Sequence, residues 1–195
     1  DLLLYTLGTE VGGLRGNFGG VGDGATPSEA GALLRPNNLT RVRGLSAADN
    51  ARDFFLTDIP WDAYIVDRVD LQRGPNAILF GLGKPGGIIN ATTDQATFRN
   101  AYSVQTRVGS FGSYRGAIDF NQVILPNELG IRFEALHDHT KYRQEPAYNR
   151  DGRFFGAIKY DPKWLAKRGM KTSLRVSYEK GDIDANRPRT LPPGD

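Results

Sequence analysis

Residues 69–93 read VDLQRGPNAILFGLGKPGGIINATT and contain a literal Gly-x-Gly-x-x-Gly, from Gly81 through Gly83 to Gly86. That pattern binds a dinucleotide when a strand precedes the first glycine and a helix follows the third. Here the order is reversed. Pro75 stands where a short helix would begin, before Gly81. GIINATT, after Gly86, is β-branched and strand-like. Pro85 occupies a position where an amide donor would be wanted, and no acidic residue follows about 20 positions on in a βα context. A phosphate loop of the Walker type is excluded because Lys84 is followed by Pro85 and not by Ser or Thr. The stretch instead describes a strand, a sharp turn at Gly74, a helix of one or two turns ended by Gly81, a reversal at Gly86-Gly87 and a second strand.

Upstream, short apolar strands alternate with glycine-rich loops, and 15 of the 24 glycines fall in residues 1–97. Strands are expected at Asp1–Leu7, Thr40–Arg43, Asp53–Leu56, Arg68–Gln72 and Ile88–Thr92. Gly12–Gly24 (GGLRGNFGGVGDG) is a low-complexity loop, and Ser46–Asp53 is expected to form a turn or short helix.

From Ala101 the pattern changes to strict alternation, the strand signature. Tyr102, Val104, Thr106 and Val108 oppose Ser103, Gln105 and Arg107. Tyr114, Gly116, Ile118 and Phe120 oppose Arg115, Ala117, Asp119 and Asn121. Leu129, Ile131, Phe133 and Ala135 oppose Arg132 and Glu134. Phe154, Gly156, Ile158 and Tyr160 oppose Arg153, Phe155 and Lys159. Thr172, Leu174, Val176 and Tyr178 oppose Ser173, Arg175, Ser177 and Glu179. Five strands of about 8–11 residues follow. Ser110–Ser113 and Leu125–Glu128 read as tight turns, His139–Asp151 as a long polar loop, Asp161–Gly169 as a moderate link and Gly181–Asp195 as a long Pro-rich one.

Alternation alone fits a soluble sandwich, apolar side in. It fits equally a membrane barrel with the faces inverted. Long charged side chains at strand centres suit a wet lumen, and Tyr and Phe near strand ends suit an aromatic girdle. Five strands cannot close, and an open edge in lipid would leave backbone groups unpaired.

Composition sets further bounds. There is no cysteine among 195 residues, which excludes thiol catalysis, disulfides and thiolate metal sites. Residues 1–97 carry 8 Lys+Arg and 11 Asp+Glu, and residues 98–195 carry 17 and 11. The basic residues of the second half form no aromatic-interleaved cluster of the kind nucleic acid requires, so nucleic acid is not an expected partner. No apolar run reaches the length of a membrane helix. The chain starts at Asp1 and stops in LPPGD, and reads as a piece of a longer one. His137 and His139 share a strand face, but no third ligand accompanies them, and no metal site is expected.

VDRVDLQRGPNAILFGLGKPGGIINATT closely resembles the end of the plug domain of TonB-dependent outer-membrane receptors. The matching residues are Asp67, Arg68, Val69 and Asp70; Arg73, Gly74 and Pro75; Phe80 and Gly81; and Gly86, Gly87, Ile88, Ile89 and Asn90. VRGLS at Val42–Ser46 resembles the family's Ile-Arg-Gly-aromatic segment. FFLTDIP at Phe54–Pro60 resembles its hydrophobic-Asp-Gly-Val-Pro strand, with Ile59 where Gly is usual. After Asn90 the chain departs from the family pattern with Ala91, Thr92, Thr93 and Asp94.

The resemblance implies a mostly β fold with some α in the plug: a mixed-sheet plug over residues 1–97, then the opening antiparallel strands of an incomplete transmembrane β-barrel over 98–195. It implies an outer-membrane location in a Gram-negative-type bacterium and TonB-driven import of a scarce solute, most often a ferric siderophore, with outer-membrane lipid as surroundings. No bond is broken in such transport, so neither catalytic residues nor a cofactor is expected. The TonB-contacting segment is not among these residues. Arg43, Trp61 and Tyr64 are the candidates to meet ligand, because Arg suits anionic chelates and aromatics stack on planar groups. Trp61 and Tyr64 have a packing role as the alternative. Arg68 and Arg73 are candidates to pair with barrel carboxylates such as Glu134 and Glu179, or within the plug itself. The rival reading is a soluble β-rich binding domain without a transport role, and a nucleotide-binding enzyme is a third.

Overall fold

The computed structural model describes residues 6–11, 40–44, 48–57, 59, 61–73 and 86–186. The chain divides into two compact units, Asp1–Thr93 and Asp94–Asp195.

In the first unit, β1 (Thr9–Val11) pairs antiparallel with β2 (Thr40–Val42). A four-stranded mixed sheet joins β3 (Asp49–Arg52), β4 (Phe55–Leu56), β5 (Val66–Gln72) and β6 (Ile88–Thr93) in the order β4-β3-β6-β5, with β3 and β6 parallel. Its core is small. Val42, Ala48 and Ile89 are fully buried, and Trp61, Val69 and Leu71 pack against them.

Three expectations need correction here. Thr6 and Leu7, expected to end a strand, lie in a bend and turn, and the first described strand runs over Thr9–Val11; residues 1–5 lie outside the described residues. Asp49–Arg52, expected as turn or short helix, is a strand, because parallel pairing to Ile88–Ala91 satisfies its backbone. Asp53 and Phe54, expected within a strand, form its hairpin turn with left-handed φ of 49° and 69°. Two non-glycine residues hold that conformation because neighbours bind them. Asn90 Oδ1 accepts the Phe54 N–H at 2.8 Å, and the Asp53 carboxylate accepts the Thr93 N–H at 2.8 Å and its hydroxyl at 2.6 Å. Helix is minimal among the described residues of this unit, a single 3₁₀ turn at Ala63–Ile65. The helix expected after Pro75, and the loop Gly12–Gly24, lie outside the described residues.

The second unit is one antiparallel meander: β7 (Ala101–Val108), β8 (Tyr114–Leu125), β9 (Leu129–Lys141), β10 (Tyr148–Tyr160) and β11 (Leu174–Asn186), each bonded to the next. The sheet is open at β7 and β11. The last three strands have 13 residues each, longer than alternation predicts. They run on through polar residues because the partner strand continues. Tyr148↔Lys141 and Arg150↔His139 are register pairs, which shrinks the expected long loop to Tyr142–Ala147. Likewise Gly181–Asn186 is strand and not linker.

Candidate functional site: a buried ionic face

Alternation gives each long strand two chemistries, and on the three inner strands, β8, β9 and β10, burial divides along them. Val104, Ile118, Phe133, Phe154, Ile158, Val176 and Tyr178 are exposed, Val104 at 73% and Tyr178 at 61%. Their aromatics meet across strands: Tyr102 lies 4.6 Å from Phe120, and Phe154 lies 5.8 Å from Tyr178. Glu134, Asn121, Arg153 and Asp151, from the opposite faces, are buried. The apolar side is out and the ionic side is in, the inverse of a water-soluble sheet. Leu136, Phe155 and Ala157 share the buried side.

Four arginines make ion pairs on this face. Arg132 makes a forked bond to Asp119, with Nε to Oδ1 at 2.9 Å and Nη2 to Oδ2 at 2.8 Å. It also reaches Asp94 at 2.8 Å, and its Nε lies 2.5 Å from Glu134 Oε1. Register explains the convergence, since Asp119 stands opposite Glu134 and Asn121 opposite Arg132 on adjacent rungs. Arg153 folds along its own strand to Asp151, at 2.6 and 2.7 Å, and lies 3.9 Å from Glu179. Gly181 makes that path possible, because a Cβ there would stand 3.1 Å from Arg153 Cγ. Arg115 and Arg107 both approach Asp138, at 3.0 and 3.8 Å. On the edge strands the cations are open to solvent: Arg107 is 65% exposed, and Arg175 is exposed as well.

Residues 94–100 lie across part of this face. Asn121 accepts the Thr97 N–H at 2.9 Å and donates to the Thr97 carbonyl at 3.1 Å and to the Arg99 carbonyl. Val123 N–H donates to Asn100 Oδ1 at 2.8 Å. Gly130 lets the segment come close, since a Cβ there would meet the Thr97 carbonyl oxygen at 2.7 Å. Lys159 Nζ sits 4.5 Å from the Phe98 ring centre.

No protein-family model matches the chain. It is similar to the probable TonB-dependent receptor BfrD of Bordetella pertussis, 35% identical over 102 residues, 50% of this chain and 14% of that one. It is 22% identical over 169 residues to the ferrioxamine receptor of Yersinia enterocolitica, 85% of this chain and 23% of that one. Its fold superposes on the ferric-catecholate import receptor Fiu of Escherichia coli K12 with a TM-score of 0.65, over 75% of this chain and 22% of that one, at 19% identity. The chain is related to the TonB-dependent receptors. It spans less than a quarter of the length of these relatives.

Within this receptor-like chain the motif residues have structural work. Gly87 adopts φ +115°, and a Cβ on it would stand 2.2 Å from the Gln72 carbonyl oxygen, so only glycine fits where β6 passes β5. Gly86 is buried beside it. Asn90 holds the Asp53–Phe54 turn. Gly74, Pro75 and Gly81 lie outside the described residues.

Of the candidate ligand residues, Arg43 is exposed at left-handed φ (57°), with its N–H bonded to the Gly8 carbonyl at 2.8 Å. Trp61 packs against its own unit's core, and its Nε1 is buried with no hydrogen-bond partner among the described residues. Tyr64 sits in the 3₁₀ turn capped by Asp62. Arg68 bonds Asp70 at 3.0 Å, and Arg73 donates to the Leu7 carbonyl, both inside the first unit. Glu134 and Glu179 meet Arg132 and Arg153 inside the second. His137 is 3.2 Å from the Tyr114 hydroxyl.

Reading alternation alone missed Asp94–Asn100, Asn121 and Gly130 as one assembly. Its visible signal is Gly130 inside an alternating strand, which marks close backbone approach.

Proposed function

We propose that this chain is part of an outer-membrane transporter that imports a ferric siderophore with energy delivered through TonB. The unit Asp1–Thr93 belongs to the plug, and the unit Asp94–Asp195 contributes opening strands of the barrel. The observation that carries this reading is the sidedness of β8–β10, with aromatic and aliphatic side chains outward and Glu134, Asn121 and Arg153 inward. A lipid-embedded barrel wall needs that arrangement. Strand length agrees. A 13-residue strand extends about 43 Å and, tilted about 45°, rises about 30 Å, the thickness of a bilayer's apolar layer. A soluble sandwich would bury Phe133, Phe154 and Tyr178 instead.

The siderophore assignment is supported by relatives named for ferrioxamine and for ferrichrome. Arg43, with Trp61 and Tyr64, is proposed to meet the ligand, a guanidinium matching the anionic chelate. Arg68 and Arg73 are proposed to act inside the plug, with Asp70 and the Leu7 carbonyl as their partners. An exposed ion pair such as Arg68–Asp70 contributes little net stability. Partners are then the TonB complex, the ferric chelate and outer-membrane lipid.

The test is uptake of labelled ferric siderophores by iron-limited cells that carry the full-length gene, with and without TonB. TonB-dependent accumulation is expected. Outer-membrane insertion without uptake of any siderophore in a broad panel would point to another solute. A water-soluble product would overturn the reading entirely.

A further inference from the structure

The turn between β10 and β11, DPKWLAKRGMKTS over residues 161–173, is the most basic short stretch of the chain and is not used by the reading above. Its backbone is well tied. Asp161 N–H bonds the Glu128 carbonyl at 2.8 Å, Lys163–Ala166 make one helical turn, and Met170 N–H returns to the Leu165 carbonyl at 3.1 Å past Gly169 at φ +79°. Lys163 serves this scaffold, since its Nζ donates to the Pro126 carbonyl at 2.6 Å and lies 3.9 Å from Glu128. Lys167, Arg168 and Lys171 do not. All three are exposed and make no ion pair among the described residues. Beside them Trp164 is 57% exposed and Met170 is exposed too.

The turn adjoins one end of the exposed apolar face, where Ile124, Leu125 and Leu174 are also uncovered. Aliphatic residues, then an indole, then three unneutralised cations is the order in which a bilayer changes from hydrocarbon to headgroup. The opposite end of the sheet differs. There Arg150 stands opposite Asp184, Lys180 is followed by Asp182, and the Tyr148 hydroxyl bonds Asp184 at 3.1 Å, so its charges are mixed.

We infer that the Asp161–Ser173 turn docks on anionic lipid headgroups of the bilayer, with Trp164 in the interface and Lys167, Arg168 and Lys171 on the headgroup phosphates. This inference rests on the barrel reading, and it assigns the turn a lipid-selective role that the barrel reading alone does not require. Each cation near an anionic surface strengthens attraction, and the effect is screened by salt.

The experiment uses full-length protein reconstituted into phosphatidylcholine bilayers doped with chain-brominated phosphatidylglycerol or, at the same mole fraction, chain-brominated phosphatidylcholine. The Trp164 signal is the fluorescence difference between wild type and Trp164→Phe. Brominated phosphatidylglycerol should quench it about twofold more strongly than brominated phosphatidylcholine at low salt. The preference should vanish in K167Q/R168Q/K171Q, which keeps the turn's backbone bonds. Equal quenching by both lipids overturns the inference. No quenching by either, with the barrel inserted and protease-resistant, also overturns it and leaves the turn in water, free to meet an acidic protein instead. Failure of the protein to insert at all overturns the barrel reading, and this inference with it.

Discussion

Replacing Arg132 by Met removes the cation that meets Asp94, Asp119 and Glu134 and leaves the volume nearly filled. Three carboxylates then share a face that was neutralised by a forked bond to Asp119 and contacts of 2.8 and 2.5 Å to Asp94 and Glu134. Stripping one partner from a buried pair costs about 3–5 kcal/mol. Only Glu134 is wholly buried, while Asp94 and Asp119 keep side-chain exposures of 15% and 24%, so the lower end, about 3 kcal/mol, is expected. That corresponds to on the order of a hundredfold in the folded-to-unfolded ratio. The assay is urea unfolding of the full-length protein folded in detergent micelles. Arg132→Lys should lose less, because it keeps the charge but not the fork. The triple change R132M/D119N/E134Q should recover most of the loss, because the penalty comes from unpaired charge and not from missing contacts. If Arg132→Met unfolds within about 0.5 kcal/mol of wild type, the ionic face is solvated and not a buried network, and the reasoning about its sidedness fails.

Other changes probe neighbouring joints. Gly87→Ala should cost several kcal/mol, since a Cβ 2.2 Å from the Gln72 carbonyl must part β5 from β6 at an already left-handed φ; limited proteolysis should cut the first unit sooner and leave the second resistant. Asn121→Ala should speed hydrogen exchange at the Thr97 amide by roughly tenfold, the loss of one buried bond, with the central amides of β9 unchanged. Asn90→Ala should destabilise the Asp53–Phe54 turn by about 1–2 kcal/mol in the same unfolding assay, by removing the Oδ1 that accepts the Phe54 N–H. Arg43→Ala should weaken ferric siderophore binding to whole cells about tenfold with the receptor's membrane level unchanged, whereas a lowered level would assign Arg43 to folding.

The strands of the second half were legible because alternation is a local property. Tyr102 to Val108 and Leu174 to Tyr178 declare two faces without knowledge of their partners. The strand after Gly87 was legible from its own β-branched run. Strand ends were not, because residues such as His139 and Tyr148 are strand only where a neighbour carries the ladder on. Asp49–Arg52 looks like a turn until Ile88–Ala91, far along the chain, offers it a parallel partner.

The sequence by itself determined that five strands would each have an oily and an ionic side, and that the glycine motif lacks the strand-before, helix-after order of a dinucleotide loop. Only the tertiary structure decided which side is covered and which carboxylate meets which arginine. The same alternation serves a sandwich and a barrel wall, so sidedness depends on what lies over each face. The ion pairs join residues as distant in sequence as Asp94 and Arg132, which no local pattern encodes.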